Sequence, residues 1–215
     1  MLIDFHSHTL PLADHGCKSV EVFLFQLEEA KRNGIDTVIC TPHFYPHKDT
    51  VEKFLERKED GLRQIAGKFD GVDFKVGAEV QLCIGLDKMQ GLERLCIDGL
   101  DIMLIEMPSM LITDDFYETL RRLAKRFRIV IAHAERCSDL VIERLVEMGF
   151  MLQLDAESFT LFGMPRIKRI LDSGLVYALG SDIHGKNKKA YPALVRAHKK
   201  CAGVNTRMRR LIYGE

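Results

Sequence analysis

Seven short apolar runs, each followed by a longer amphipathic stretch, restrict the fold of this chain more than any other feature. The runs are Met1–Phe5, Thr37–Cys40, Phe74–Ala78, Ile102–Ile105, Ile129–Ala132, Met151–Leu154 and Val176–Leu179. Most are unbroken and rich in Val, Ile or Leu, the pattern of parallel strands buried on both faces. Between them, apolar residues recur at helical spacing. Val20, Phe23, Leu24, Leu27 and Ala30 share one face before a stop at Gly34, and Leu55, Leu62, Ile65, Ala66 and Phe69 share another. Phe116, Leu120, Leu123, Ala124 and Phe127 form a third face, and Leu140, Val141, Leu145 and Met148 a fourth ahead of Gly149. Weaker helical patterns cover 161–172 and 190–200, a last helix runs to the C-terminus, and a short one is expected around Leu86–Leu95.

Seven strand–helix units imply an α/β fold with a parallel sheet and right-handed crossovers. They suit a (β/α)7 barrel, one unit short of the usual eight, with an open doubly wound sheet as the alternative. No Gly-rich phosphate loop follows any strand, which argues against a nucleotide-binding version of the open sheet. The 215 residues suit one domain spanning 1–215.

Composition excludes several classes. With 31 basic and 31 acidic residues, nothing marks a nucleic-acid or anionic-membrane surface. No apolar stretch approaches the roughly 20 residues of a membrane helix. The first apolar run leads straight into His6 and His8, with no room for a signal peptide, so a cytoplasmic protein is expected. None of the six cysteines forms a C-x-x-C pair, which disfavours a disulfide framework or a thiolate zinc site. Cys201 and Arg207 have the C-x5-R spacing of cysteine-based phosphatases. The segment between them lacks the loop of backbone amides between strand and helix that such chemistry needs, so the match reads as coincidence.

The chemistry gathers at the strand ends. His6 and His8 follow the first run, with Asp14 and His15 close behind. His43 follows the second, Glu79 the third, Glu106 the fourth, His133 the fifth, and Asp182 and His184 the seventh. His, Asp and Glu make up about a fifth of the chain, so their presence at nearly every strand end, always on the C-terminal side, is not a random placement. That side is where ligands converge in parallel α/β folds. His6 and His8, two residues apart on a strand, point to one face, and Asp182 and His184 repeat the spacing. Imidazole with carboxylate and no thiolate suits Zn, Mn or Fe in a catalytic site, and this many candidates suits two or three ions. His47 and His198 match no strand end and are expected to face solvent; Asp155 and Glu157 read as capping or surface groups.

His6-Ser7-His8, Thr41-Pro42-His43, Gly77-Ala78-Glu79, Ile105-Glu106, Ala132-His133-Ala134-Glu135-Arg136 and Ser181-Asp182-Ile183-His184 together resemble the polymerase and histidinol phosphatase (PHP) superfamily. Within it they are most similar to the bacterial manganese-dependent protein-tyrosine phosphatases of capsule and exopolysaccharide synthesis. The resemblance implies a distorted seven-stranded barrel with three divalent ions, Mn2+ or alternatively Zn2+ or Fe. It implies one ion on His6, His8, Glu79 and Asp182, a second on Glu79, Glu106 and His133, and a third on His43, His184 and a first-loop residue. That loop reads Asp14-His15-Gly16 where the branch usually has Asp-Asp-Gly; the residue before Gly is the expected ligand, which favours His15 over Asp14.

The implied reaction is hydrolysis of phosphotyrosine in a protein, the expected partner being a bacterial tyrosine kinase of the exopolysaccharide system. A hydroxide formed on the ions would attack phosphorus in line, and Arg136 would hold the phosphate by its fork, with a helix-start salt bridge as its structural alternative. Lys186, Lys188 and Lys189 follow the last ligand strand and suit a solvated loop. A small-molecule phosphomonoesterase such as a histidinol phosphatase, or a metal-bound domain without activity, are the competing readings.

Overall fold

The computed structural model describes residues 1–160 and 162–214. Its strands pair only in parallel, in two sheets. One has β1 (Ile3–Ser7), β2 (Thr37–Cys40) and β4 (Asp73–Val76) in the order β1-β2-β4. The other has β3 (His43–Phe44), β5 (Glu79–Gln81), β6 (Ile102–Glu106), β7 (Arg128–Ile131), β8 (Met151–Asp155) and β9 (Val176–Gly180), side by side in chain order.

The second and third apolar runs therefore each lead into two strands, not one. Pro42, which has no N–H to offer a ladder, separates β2 from β3. The expected strand Phe74–Ala78 ends at Val76, and pairing resumes at Glu79. Register is unchanged across both breaks, Cys40 opposing Val76 and His43 opposing Glu79, so the ladder continues while the strands change sheet. Across the other seam, Asp182 donates its N–H to the His6 carbonyl at 2.9 Å and His8 donates to Ile183 at 3.2 Å. The first strand thus lies beside the chain leaving the last one.

Helices fall where the apolar faces place them: α1 (Val20–Arg32), α2 (Val51–Ile65), α3 (Asp114–Leu123), α4 (Asp139–Glu147), α5 (Met164–Asp172), α6 (Ala190–Lys200) and α7 (Ala202–Tyr213). Ser19, Thr50 and Ser138 cap α1, α2 and α4 by accepting from Val22, Lys53 and Val141 N–H groups. The helix expected over 161–172 begins at Met164; Leu161 lies outside the described residues. The expected helix around Leu86–Leu95 divides into 3-10 turns at Leu86–Lys88 and Leu92–Leu95. Met89, in extended conformation, ends the first, and Gly91, left-handed at φ +76°, starts the second.

Helix α7 runs across the starts of the strands. Tyr213 Oη bonds Thr37 Oγ1 (2.7 Å) and Asp73, Arg207 Nε bonds the Val176 carbonyl (2.8 Å), and Arg128 bonds the Leu211 carbonyl. Its Met208, Leu211 and Ile212 pack in one apolar cluster with Ile3, Ile39, Ile102 and Val130. That end of the sheets is sealed by side chains, which leaves the C-terminal strand ends as the polar face.

His198 departs from expectation. It is buried on α6, with Nε2 3.0 Å from the Ile3 carbonyl and Nδ1 2.5 Å from Asn205 Oδ1, joining α6, β1 and α7. An amphipathic helix pattern does not reveal that a polar residue on its inner face has a backbone partner waiting. His47 is exposed, as expected. Among the described residues, no helix is long and apolar enough to cross a membrane.

Candidate metal centre

At the C-terminal ends of the strands, side chains distant in sequence meet within one hydrogen-bond length. His6 and His8 are fully buried, their Nε2 atoms 3.1 Å apart. Glu79 Oε2 lies 3.3 Å from each of these nitrogens. Asp182 Oδ1 lies 3.2 Å from His8 Nε2 and 3.7 Å from His6 Nε2. Donor atoms roughly 3–4 Å apart are what a single ion with metal–ligand bonds of about 2.0–2.2 Å gathers around itself. The other Glu79 oxygen, Oε1, is 2.8 Å from His133 Nε2, which is 3.9 Å from Glu106 Oε1. Glu79 therefore faces two groups of donors, one with each oxygen.

A third group lies on the outer side. The His15 ring stands 5.0 Å from His43 and 4.9 Å from His184, and His8 stacks on His184 at 4.2 Å. Nitrogens of His8, His43 and His184 come within 4.8 Å of one another, as do donor atoms of His43, Glu79 and Glu106. Asp14 stands apart from this stack. Its Oδ2 is 2.6 Å from His8 Nδ1 and accepts from the His43 backbone at 2.9 Å, while Oδ1 accepts from Gly16 N–H. All ten expected ligand candidates thus gather at one mouth, with His15 among the rings and Asp14 behind them.

Several residues absent from the sequence reading orient these rings. Gln153, fully buried on β8, presents Oε1 to both His6 Nδ1 (3.2 Å) and the His133 backbone N–H (2.6 Å). An acceptor on Nδ1 selects the tautomer whose Nε2 lone pair points into the cluster. Asp14 does the same for His8, and the Asp182 carbonyl does it for His184 at 2.9 Å. Asp4, buried one turn of the pleat below His6, accepts from both the N–H and hydroxyl of Ser181 and anchors the segment that carries Asp182. Burial pushes the Asp4 carboxyl up to about 7, despite the two Ser181 bonds. Tyr45 stacks on His43 at 5.1 Å. In sequence these residues sit inside or beside apolar runs, and only the alternating pleat of β1 and β8 hinted that Asp4 and Gln153 share the face of the ligands.

Backbone geometry is unusual at two of the same positions. His133 has φ +30° and Asp182 φ +47°, a left-handed conformation that costs a non-glycine residue of order 1–3 kcal/mol and clusters at functional sites. Gly180 meets the cluster from below: a Cβ there would lie 2.5 Å from His6 Cβ and 2.8 Å from Gln153 Nε2, so the close approach of β9 to β1 requires glycine.

The electrostatics are those of a site with too many buried charges. Burial alone would raise the Glu79 carboxyl, yet the His6 charge and the contacts from His133 and His43 hold it well below the usual carboxylate range. Burial would likewise lower the His6 imidazole, but Glu79 and Asp182 outweigh it and raise it to about 9. Glu106 is pushed up, by burial and by Glu79 beside it. Glu79 Oε2, Glu106 Oε2 and His43 Nδ1 are buried and make no well-formed hydrogen bond among the described residues, although His43 Nδ1 stands 2.9 Å from Glu79 Oε2. Buried polar atoms without a well-formed hydrogen bond cost about 1–3 kcal/mol each, and divalent cations bound among these donors would offset that cost. The donor set, all imidazole and carboxylate, fits such ions.

Arg136 follows His133 in a short 3-10 turn, Ala134–Arg136. Its Nη2 bonds Asp155 Oδ2 at 2.5 Å and Asp182 Oδ2 at 2.6 Å. Asp155, expected to be a capping or surface group, does sit at the N-cap of the Ala156–Ser158 turn, but its side chain makes no capping bond and is buried against Arg136 and Gln153. Glu157 is exposed, bonded to Asn187. Cys201 is remote from all of this. It is buried at the junction of α6 and α7, burial raises its thiol, and Arg207 is engaged at the start of β9.

Known proteins resemble this chain along most of its length. The chain is 26% identical over 211 residues to tyrosine-protein phosphatase CpsB of Streptococcus pneumoniae, covering 87% of this chain and 85% of that protein. It is 25% identical over 208 residues to tyrosine-protein phosphatase YwqE of Bacillus subtilis, covering 85% and 77%. A solved structure from the pair YwqE of Bacillus subtilis and CpsB of Streptococcus pneumoniae, described as unique metal-dependent tyrosine phosphatases, shares the fold. Its TM-score is 0.73 at 21% identity, covering 96% of this chain and 95% of that one. A histidinol phosphate phosphatase from Lactococcus lactis, solved with zinc, L-histidinol and phosphate, is a more distant structural neighbour, with a TM-score of 0.51 at 12% identity and coverage of 91% and 92%. The family described as capsular polysaccharide synthesis, CpsB/CapC, matches residues 2–210, and the chain belongs to it.

Proposed function

We propose that this protein is a metal-dependent phosphatase that hydrolyses phosphotyrosine in proteins. The observation that carries the reading is the convergence of His6, His8, Glu79 and Asp182 within 3.1–3.7 Å, where Glu79 Oε2 is buried without a well-formed hydrogen bond. One ion would take those four residues; a second would share Glu79 and take Glu106 and His133. A third would take His43 and His184 with His15, while Asp14, bonded to His8, acts through that ring. Mn2+ is the favoured metal, with Zn2+ or Fe as alternatives.

When bound, the ions would activate water near neutral pH and neutralise charge on the phosphate. The chain supplies the rest. Gln153, Asp14 and the Asp182 carbonyl hold protons on the outward ring nitrogens, so the inward nitrogens stay free as donors to metal. Arg136, held at the edge of the cluster by Asp155 and Asp182 through Nη2 alone, keeps its other fork donors for a phosphate oxygen. Tyrosine's phenol, with a pKa of about 10, leaves without a strong general acid.

The two sheets read best as one distorted seven-unit barrel in a single domain over 1–215, closed where His6 and His8 meet Asp182 and Ile183. A bacterial tyrosine kinase of capsule or exopolysaccharide synthesis, in the cytoplasm, is the proposed substrate. The test is hydrolysis of a phosphotyrosine peptide by metal-stripped protein with Mn2+, Zn2+ or Fe2+ added back, alongside Cys201→Ser. Activity restored by metal and indifferent to Cys201 is the expected result. Activity that survives chelation and is lost with Cys201 would overturn the reading.

A further inference from the structure

Beside the cluster, between the loop that follows β6 and the start of α4, lies a cavity of about 430 Å³. Its base is polar and shared with the centre, since Glu106, His133 and Arg136 all line it. Met107, Pro108, Met110 and Ile112 after β6 and Val141 of α4 give it apolar lining, interrupted by Ser109, Cys137 and Ser138. We propose that this cavity is the subsite for the aromatic ring of an aryl phosphate. Met110 and Val141 are the residues that make the centre prefer aryl over alkyl phosphomonoesters. The inference rests on the metallophosphatase reading and adds to it the residues that choose the ester group.

A phosphate held by the ions and Arg136 must direct its ester oxygen away from the ligands. Because Glu106, His133 and Arg136 line this cavity, the substituent enters it and meets the side chains of Met107, Pro108, Met110, Ile112 and Val141. The volume falls within the range of about 300–1,000 Å³ usual for small-molecule sites. Two methionine thioethers on the walls suit an aromatic ring, which sulfur contacts favourably at its edge. Among the described residues Glu106 is the only carboxylate lining the cavity, so an ammonium-bearing alkyl ester would find no further counter-charge there. Met110 is 66% exposed and Leu111 beside it 85%, an apolar lip that a seated ring and its flanking polypeptide would cover.

The test compares two ligands that cannot be hydrolysed, phenylphosphonate and methylphosphonate, titrated calorimetrically into the Mn2+-loaded protein. The phenyl ligand should bind more tightly. Met110→Ala combined with Val141→Ala should reduce that preference about 10-fold, the low end for lost apolar contacts in a pocket, and leave methylphosphonate unchanged. Met110→Leu, which preserves volume, should retain the preference. Equal affinity of the two ligands for the unaltered protein would overturn the inference, as would an equal loss for both ligands in the double variant. Phenyl preference in a protein that cleaves no phosphomonoester would uphold the ring subsite and sink the phosphatase reading instead.

Discussion

Replacing Gln153 by Leu removes one carbonyl oxygen that serves two residues of the centre at once. Oε1 accepts from His6 Nδ1 at 3.2 Å and from the His133 backbone N–H at 2.6 Å, all within a fully buried setting. Each donor left without a partner costs about 1–3 kcal/mol, so the substitution should destabilise the protein by about 2–6 kcal/mol. For a chain of 215 residues, with an unfolding entropy of about 2.1 cal/mol/K per residue, each kcal/mol lowers the midpoint by about 2 °C. The thermal midpoint of metal-loaded protein should therefore fall by roughly 4–13 °C. Freed of its acceptor, His6 no longer has its tautomer set, and loss of an outer partner of a ligating His typically weakens metal affinity 10–100-fold. Calorimetric titration of Mn2+ into stripped protein measures this directly. Gln153→Glu keeps an acceptor oxygen for His6 but replaces the Nε2 donor to Asp155 Oδ1 (2.9 Å) by a carboxylate oxygen, so it should retain more metal affinity than Gln153→Leu while still lowering the midpoint. Wild-type metal binding and an unchanged midpoint in Gln153→Leu would refute the reasoning, because the outward ring bond would then contribute nothing.

Other consequences follow from the same centre. In metal-stripped protein His6 is raised to about 9 by its carboxylate neighbours, so between pH 6.5 and about 9 the folded state binds more protons than the unfolded one. Stability of the stripped protein should decline as pH rises through that window, by on the order of 3 kcal/mol at most. Mn2+ affinity should rise over the same window as protons cease to compete; denaturant melts at several pH values, with and without metal, check both signs. Gly180→Ala drives a methyl to 2.5 Å from His6 Cβ, and overpacking of this kind costs about 1–3 kcal/mol; circular dichroism melts and metal content should show lower stability together with incomplete metal loading. His15→Ala should reduce bound metal by about one ion per chain, whereas Asp14→Asn should weaken binding at His8 without removing a ligand; elemental analysis separates the two, and equal stoichiometry in both variants would refute the assignment of His15.

Much of this protein is legible in its sequence because the two signals that matter are local. Buried parallel strands must be short, apolar and followed by an amphipathic helix, so β2 and α6 fall on the residues that the pattern marks. Candidate ligands at the mouth of such a fold must follow the strands, and for that reason the cluster of His6, His8, His43, Glu79, Glu106, His133, Asp182 and His184 could be picked out before any distance was known. The ring orientations could not. Whether a buried polar residue serves a ligand depends on which backbone or side-chain donor faces it across a sheet, and Gln153 lies 147 positions from His6 and 20 from the His133 N–H. The break in the third apolar run, the burial of His198 and of Asp155, and the position of Asp14 behind His8 have the same origin. Each is settled by a partner brought close only when the strands pair. Hydrophobic periodicity records which face a residue presents; tertiary structure decides what waits on the other side.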